Sequence, residues 1–247
     1  MKRLDIALVD RGLCSSREKA KRAIMAGQVR INQQPAHKPS DSVGEQDEIT
    51  LVQGEKYVSR GGEKLEAALR GFSLDVTGQT AMDVGASTGG FTDCLLQHGA
   101  ARVYAVDVGQ GQLAWKLRRD PRVVAMERVN ARELTRAHFP APFEPVDLAT
   151  IDCSFISLRK ILVPAVALLR AGGSIVALIK PQFEAGKAEA DRGAGVIRDP
   201  AIHARVLREI EEFVAAQRAL RWRGLMESPL LGPAGNKEFL VWIEKTG

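Results

Sequence analysis

The chain has 247 residues and a mass of 26.9 kDa, enough for one large domain or for a domain of about 190 residues carrying a small module. With 45% hydrophobic residues, 26% charged residues and a mean hydropathy of −0.12, it holds enough apolar side chains for a core, which argues against wholesale disorder. The longest uncharged apolar run, 161–169, falls short of the roughly 20 residues a membrane helix needs, and no signal-peptide core precedes Asp5 and Asp10.

Cys14, Cys94 and Cys153 are odd in number, widely spaced and without clustered histidines. A disulfide framework or structural zinc site is therefore not expected, and the chain reads as cytoplasmic, with no metal, no membrane and no obligate protein partner. The net charge of +5 divides unevenly: residues 1–39 carry +6 and the remaining 208 sum to −1. One end thus holds the whole basic excess, as a polyanion-binding module joined to a near-neutral body would.

In chain order, 4–9 reads as a short helix closed by Gly12. Ser15-x-x-Glu18 reads as a capping box opening a second helix that Gly27 closes, with Ala20, Ala23 and Ile24 inward and Arg17, Lys21 and Arg22 towards solvent. Residues 29–31 and 49–51 are strand-like. Two short helices on a small sheet would offer a compact basic surface whose phosphate contacts are salt-dependent and indifferent to sequence.

The pattern L-D-x-x-L-V, R-G-L, S-R-x-x-A, I-x-x-G-x-V-x-I-N over roughly residues 2–52 closely resembles the RNA-binding domain named after small-subunit ribosomal protein four. The resemblance implies that Arg3, Arg11, Arg17, Lys21 and Arg22 contact structured RNA. The expected organisation is an RNA-binding domain over 1–54, a linker over 55–58 and a catalytic domain over 59–247.

From Ala81 onward, apolar runs at 81–84, 103–108, 123–126, 146–152, 174–179, 222–227 and 238–243 alternate with helical patterns near 91–98, 112–119, 158–170 and 201–217. The expected fold is α/β: a doubly wound, mostly parallel, Rossmann-like sheet with a small N-terminal α+β domain. Ligands of such a sheet sit at the carboxyl ends of its strands.

The first such end carries Asp83-Val-Gly85-Ala-Ser87-Thr-Gly89-Gly90-Phe91, and Asp107 ends the second strand, placed to accept from ribose hydroxyls. A glycine loop with an acid does not by itself separate a nicotinamide cofactor from S-adenosylmethionine. Two details favour the latter: Asp83 stands two residues before the first glycine, where an amino group suits it better than a pyrophosphate, and the G-x-G-x-x-G frame is missing. The fourth end reads Asp152-Cys-Ser-Phe155, without the two prolines of an amine-methylating clamp. The fifth ends in Lys180, an unusual residue to close an apolar strand.

Taken together, V-S-R-G-G-E-K-L, D-V-G-A-S-T-G-G-F-T, Y-A-V-D-V-G-Q-G-Q-L, D-x-S-F-I-S-L, K-P-Q-F-E and G-P-A-G-N-K-E are similar to the TlyA family nearly end to end. Its members methylate a ribose 2′-hydroxyl of ribosomal RNA and have also been named haemolysins. The catalytic half resembles FtsJ-type methyltransferases, whose Lys-Asp-Lys-Glu tetrad falls on Lys64, Asp152, Lys180 and Glu238. The resemblance places Asp83, Gly85, Ser87, Gly89 and Phe91 around the methionine part of S-adenosylmethionine and Asp107 on its ribose; Asn130, after the third strand, reads either as facing the adenine or as a loop cap. The resemblance also implies a cytidine as target. Residues 184–198, glycine-rich and charged, read as a flap over the target nucleotide offering Arg192 and Arg198 as phosphate contacts, and Arg60 reads likewise beside the linker. Where some members have Arg-x-Trp-Val, this chain has Glu55-Lys56-Tyr57-Val58. Its short ends match the subgroup associated with the large ribosomal subunit alone.

A ribose hydroxyl is a weak nucleophile whose proton must leave as oxygen attacks the methyl carbon. Lys180 is the candidate proton acceptor or hydroxyl orienter, with Lys64 supplying a like charge and Asp152 and Glu238 fixing both lysines. Burial and a second ammonium favour a neutral lysine while two carboxylates oppose it, so positioning weighs against full deprotonation. Three rivals remain: a base methyltransferase using Cys153 as nucleophile, a membrane-active haemolysin, and a non-catalytic RNA-binding or ribosome-assembly factor.

Overall fold

The computed structural model describes residues 1–52, 55–186, 189 and 193–247, and the chain divides into two compact units, Met1–Lys56 and Tyr57–Gly247. In the first, β1 (Lys2–Arg3) leads into α1 (Leu4–Asp10), followed by α2 (Arg17–Met25), β2 (Val29–Ile31), β3 (Gln34–Pro35), β4 (Ser42–Val43) and β5 (Ile49–Leu51). β3, β2 and β5 form an antiparallel sheet, and β1 pairs with β4. Asn32 and Gln33, at φ 49° and 66°, make the two-residue turn of the β2–β3 hairpin, where both central residues need positive φ. The Leu4, Leu8, Ala20, Ile24, Val29 and Val43 side chains form its core.

Two expectations change here. Helix α2 is capped by Ser16, whose side chain accepts from the Lys19 N–H, one residue later than expected; Glu18 instead pairs with Lys21 at 3.1 Å. The basic surface is also partly committed to the fold. Asp5 is fully buried, and both Arg3 (3.1 Å) and Arg17 (2.9 Å) turn onto its carboxylate. Burial alone would raise that carboxyl, but the bonds from the two arginines outweigh it and hold the group below its ordinary value. Arg11 donates to the Gly44 and Asp47 carbonyl oxygens, whereas Arg22 stands exposed.

The second unit is built on β6 (Thr80–Val84), β7 (Arg102–Val106), β8 (Val123–Met126), β9 (Val146–Ile151), β10 (Leu169–Ile179), β11 (Leu220–Glu227) and β12 (Phe239–Lys245). The sheet order is β11-β12-β10-β9-β6-β7-β8, with β12 antiparallel to both neighbours and the β10-β9-β6-β7-β8 pairings parallel. Its helices are α3 (Gly61–Gly71), α4 (Gly90–Gln97), α5 (Trp115–Arg118), α6 (Leu158–Ala167), α7 (Pro181–Glu184) and α8 (Pro200–Ala215). Alternate strand residues supply two cores. Met82, Val84, Tyr104 and Val106 face α6 and α8, while Ala81, Val103 and Ala105 face α3 and α4. This is the doubly wound α/β architecture expected from the alternating runs.

Helix α6 stops at Ala167 rather than Arg170 because Leu169 pairs with Val146 and opens β10 ahead of a bulge. α5 covers four residues, not eight, because the preceding segment is laid on the glycine loop, with the Ala114 N–H bonded to the Thr88 carbonyl at 3.1 Å. Tyr57 and Val58, expected in the linker, pack within the second unit: Tyr57 is buried and the Val58 N–H donates to the Asp93 carboxylate at 2.8 Å. Among the described residues, no helix is long and apolar enough to cross a membrane.

Candidate active site

Strand order reverses between β6 and β9, and the crevice outside their carboxyl ends holds two adjoining hollows. The first, of about 290 Å³, is lined by Arg60, Lys64, Gly85, Ser87, Phe91, Asp152, Ser154, Lys180 and Glu238, among others. The second, of about 530 Å³, shares Gly85, Ser87, Asp152 and Ser154 and adds Asp107, Gln112, Asn130 and the apolar side chains of Val108, Val129 and Ile156.

Each polar residue arrives on the end of an element. Lys64 lies in the first turn of α3, Asp152 follows β9 and Lys180 follows β10. Glu238 precedes β12; because that strand runs antiparallel, its start lies at the edge where the parallel strands end. Lys64 Nζ donates to Glu238 Oε2 at 2.6 Å, with side-chain exposures of 10% and 1%. Lys180 Nζ donates to Ser154 Oγ at 3.1 Å and lies 2.5 Å from Asp152 Oδ1, a charge contact in which Oδ1 accepts no well-directed hydrogen bond. Two lysine–carboxylate pairs, one buried and one with a half-buried carboxylate, therefore face one small hollow. The motifs around them interlock: Glu184 accepts from Ser157 Oγ and the Leu158 N–H, both at 2.6 Å, while a Cβ on Gly232 would stand 2.5 Å from Glu238 Oε1.

The glycine loop is held tightly. Gly85 has φ 86°, and a Cβ there would lie 2.7 Å from the Asp152 carbonyl oxygen. Gly89, at φ 97°, leaves room for Leu117 and Leu113, and Phe91 is buried behind it. Asp107 accepts from the Ser87 and Gly109 N–H groups, both at 2.7 Å, and keeps lone pairs towards the larger hollow. Asn130 caps the turn at 131–133 by accepting from the Arg132 N–H at 3.1 Å, and it lines that hollow as well.

Asp83 departs from expectation. It lines neither hollow; it is fully buried, accepting from Thr92 Oγ1 at 2.6 Å and Thr150 Oγ1 at 3.1 Å. Burial, assisted by the Asp152 charge, lifts its carboxyl to about 6 against those two hydrogen bonds. The Cys153 thiol points at the Val84 carbonyl oxygen, and burial foremost pushes it up to about 12, which leaves almost no thiolate for attack. Arg198 is exposed, and Arg192 lies outside the described residues.

Residues 57–245 match the model of the FtsJ-like methyltransferases. The chain belongs to that family. The S4 domain model matches residues 2–49 of this FtsJ-like methyltransferase. Bacillus subtilis YqxC, which carries a provisional rRNA-methyltransferase name, is 50% identical over 99% of this chain and 86% of its own. The protein named 16S/23S rRNA (cytidine-2'-O)-methyltransferase TlyA of Mycobacterium tuberculosis is 47% identical over 98% of this chain and 89% of its own. A solved Streptococcus thermophilus structure bearing a hemolysin name superposes with a TM-score of 0.74 at 45% identity, covering 99% of this chain and 88% of its own.

Reading the sequence missed several lining residues of this FtsJ-like methyltransferase. Ser154 and Gln112 fall inside the motifs D-x-S-F-I-S-L and Y-A-V-D-V-G-Q-G-Q-L, but as small or flexible polar residues in loops they carry no charge or periodicity that singles them out. Phe155 did carry a signal, as an aromatic immediately after a strand end; it holds φ 62°, is 91% exposed and has its ring 5.1 Å from that of Phe183.

Proposed function

We propose that the chain transfers a methyl group from S-adenosylmethionine to the ribose 2′-hydroxyl of a cytidine in ribosomal RNA, acting on the large subunit in the cytoplasm. The observation that carries this is the convergence of the Lys180–Asp152 and Lys64–Glu238 pairs on a hollow that opens onto the glycine loop. The relatives support the substrate: proteins of Mycobacterium tuberculosis and Campylobacter jejuni, the latter 32% identical over 81% of this chain, are both named as 23S rRNA (cytidine-2'-O)-methyltransferases, the former for 16S as well.

The larger hollow suits an adenosyl group, because Asp107 offers a carboxylate to ribose hydroxyls while Val108, Val129 and Ile156 offer apolar contact to a flat ring. When bound, S-adenosylmethionine supplies an electrophilic methyl carbon on a sulfonium. Lys180, which donates to Ser154 Oγ and stands against the Asp152 carboxylate, is placed to orient the ribose hydroxyl for attack. As the O–C bond forms and the C–S bond breaks, the hydroxyl proton would go to Asp152, relayed by Lys180. The lysine would hand one of its own protons to the carboxylate 2.5 Å away as it takes up the one from the ribose. Lys64, held by Glu238, places a second positive charge at the hollow, where it steadies the oxygen's developing negative charge. Arg60, exposed on the rim of the same hollow, is placed for a phosphate of the target strand. We assign RNA docking to the unit over 2–49, with the domain boundary near residue 57.

The test is transfer of labelled methyl to separated, unmodified bacterial 30S and 50S subunits, with Lys180→Ala as control. Label on 50S, lost in the variant, is expected. Label on 30S alone would refute the large-subunit target, and bound cofactor without label on either would make the chain a non-catalytic RNA-binding factor.

A further inference from the structure

Trp115 opens α5 and is 69% exposed, although Leu113 and Leu117 on either side are buried. The exposure does not come from a loose helix. Leu113 and Leu117 fill the space that Gly89 leaves, and the Ala114 N–H is bonded to the carbonyl of Thr88, which lines the smaller hollow. α5 is thus fastened to the cofactor loop with its indole turned outward. The cations around it divide into two kinds. Lys116 is paired with Asp93 at 2.9 Å and Arg118 with Glu127, whereas the Arg119 guanidinium sits over the indole, 5.7 Å from the ring centroid. Among the described residues no carboxylate pairs with Arg119. A large flat apolar ring left in water beside an uncommitted guanidinium matches the chemistry of a nucleotide, whose base stacks and whose phosphate pairs.

We propose that Trp115 and Arg119 form a stacking shelf for an unpaired nucleotide flanking the target in the RNA. Trp115 lines neither hollow, so the shelf takes a neighbour of the modified nucleotide and not that nucleotide itself. Because α5 is bonded to the cofactor loop, a base held there registers the RNA strand against the methyl donor. The proposal rests on an RNA substrate, but its first test needs no turnover.

Indole emission of the full chain is titrated, without cofactor, with naked unmodified 23S RNA. The other tryptophans, Trp222 and Trp242, lie on β11 and β12 at the far side of the sheet from α5. Quenching that saturates with RNA and disappears in Trp115→Phe is expected. In methylation assays, Trp115→Ala raises KM for RNA roughly tenfold, the scale of one lost base stack, with a smaller change in kcat, and Trp115→Phe restores most of that loss. Cofactor affinity, measured by equilibrium dialysis, stays as in the parent. Absence of RNA quenching, or an unchanged KM in Trp115→Ala, overturns the proposal. Quenching by intact 50S subunits but not by naked 23S RNA overturns it too, assigning the surface to a ribosomal protein. Loss of methyl transfer in the parent chain would instead sink the functional reading and leave the quenching result standing.

Discussion

Replacing Asp83 by Asn should stabilise the protein at neutral and alkaline pH. The carboxylate is fully buried, receives hydrogen bonds from the Thr92 and Thr150 hydroxyls and from the Thr92 backbone, and feels Asp152 as a like charge. Its carboxyl is lifted from 3.8 to about 6, so burial outweighs the hydroxyls. A group whose folded value is raised contributes stability that is fully present below its unfolded value and is lost as pH rises through the folded one. At pH 8 the charged group therefore costs about 3 kcal/mol, two pH units at roughly 1.4 kcal/mol each. Asn keeps one acceptor and offers a donor to a threonine hydroxyl, at nearly the same volume. Urea unfolding should accordingly show Asp83→Asn more stable by up to about 3 kcal/mol at pH 8, and by about half that at pH 5. In a unit of this size that is a rise in Tm of roughly 6–12 °C at pH 8. A variant less stable than the parent by the same amount at both pH values would refute the reasoning, because it would mean that the hydrogen bonds, and not burial, dominate at this site.

Glu238→Gln leaves the Lys64 ammonium buried without its counter-charge; a loss of about 3 kcal/mol in unfolding free energy is expected together with loss of methyl transfer, and a variant as stable as the parent would show that water compensates the lysine. Gly89→Ala forces a Cβ to within 2.3 Å of Leu117 Cδ1 at φ 97°, so the dissociation constant for S-adenosylmethionine should rise more than tenfold by equilibrium dialysis, and an unchanged constant would detach this loop from the cofactor. Cys153→Ala should retain at least half of the parent's kcat, since the thiol is neither ionised nor turned to the hollow's polar groups; loss of activity would revive a covalent mechanism.

Much of the fold is written locally. Runs of β-branched and apolar residues alternating with amphipathic stretches dictate a parallel sheet covered on both faces, and a glycine loop after the first strand places a ligand at its end. Element ends were legible where a cap or proline sits, as at Pro200. They were not where apolar residues continue past a helix, as at Leu168 and Leu169, since helix and strand both bury such side chains. The four tetrad positions could be assigned by resemblance, one motif at a time. The direction of the Asp83 side chain could not: alternation along β6 sets which face a residue takes, but its partners Thr92 and Thr150 come from a helix and a strand that meet only in the folded chain.

The doubly wound body, the basic first unit and the residue types available for catalysis follow from periodicity, charge and turn chemistry, which act within a few residues. Which of these residues work together depends instead on contacts between elements far apart in the chain. Lys64 and Glu238 are 174 positions apart and meet because β12 enters the sheet antiparallel, bringing its first residue to the edge where its parallel neighbours end. Arg3 and Arg17, read as phosphate contacts, turn onto Asp5 because a carboxylate buried in that small core must be neutralised from its surroundings.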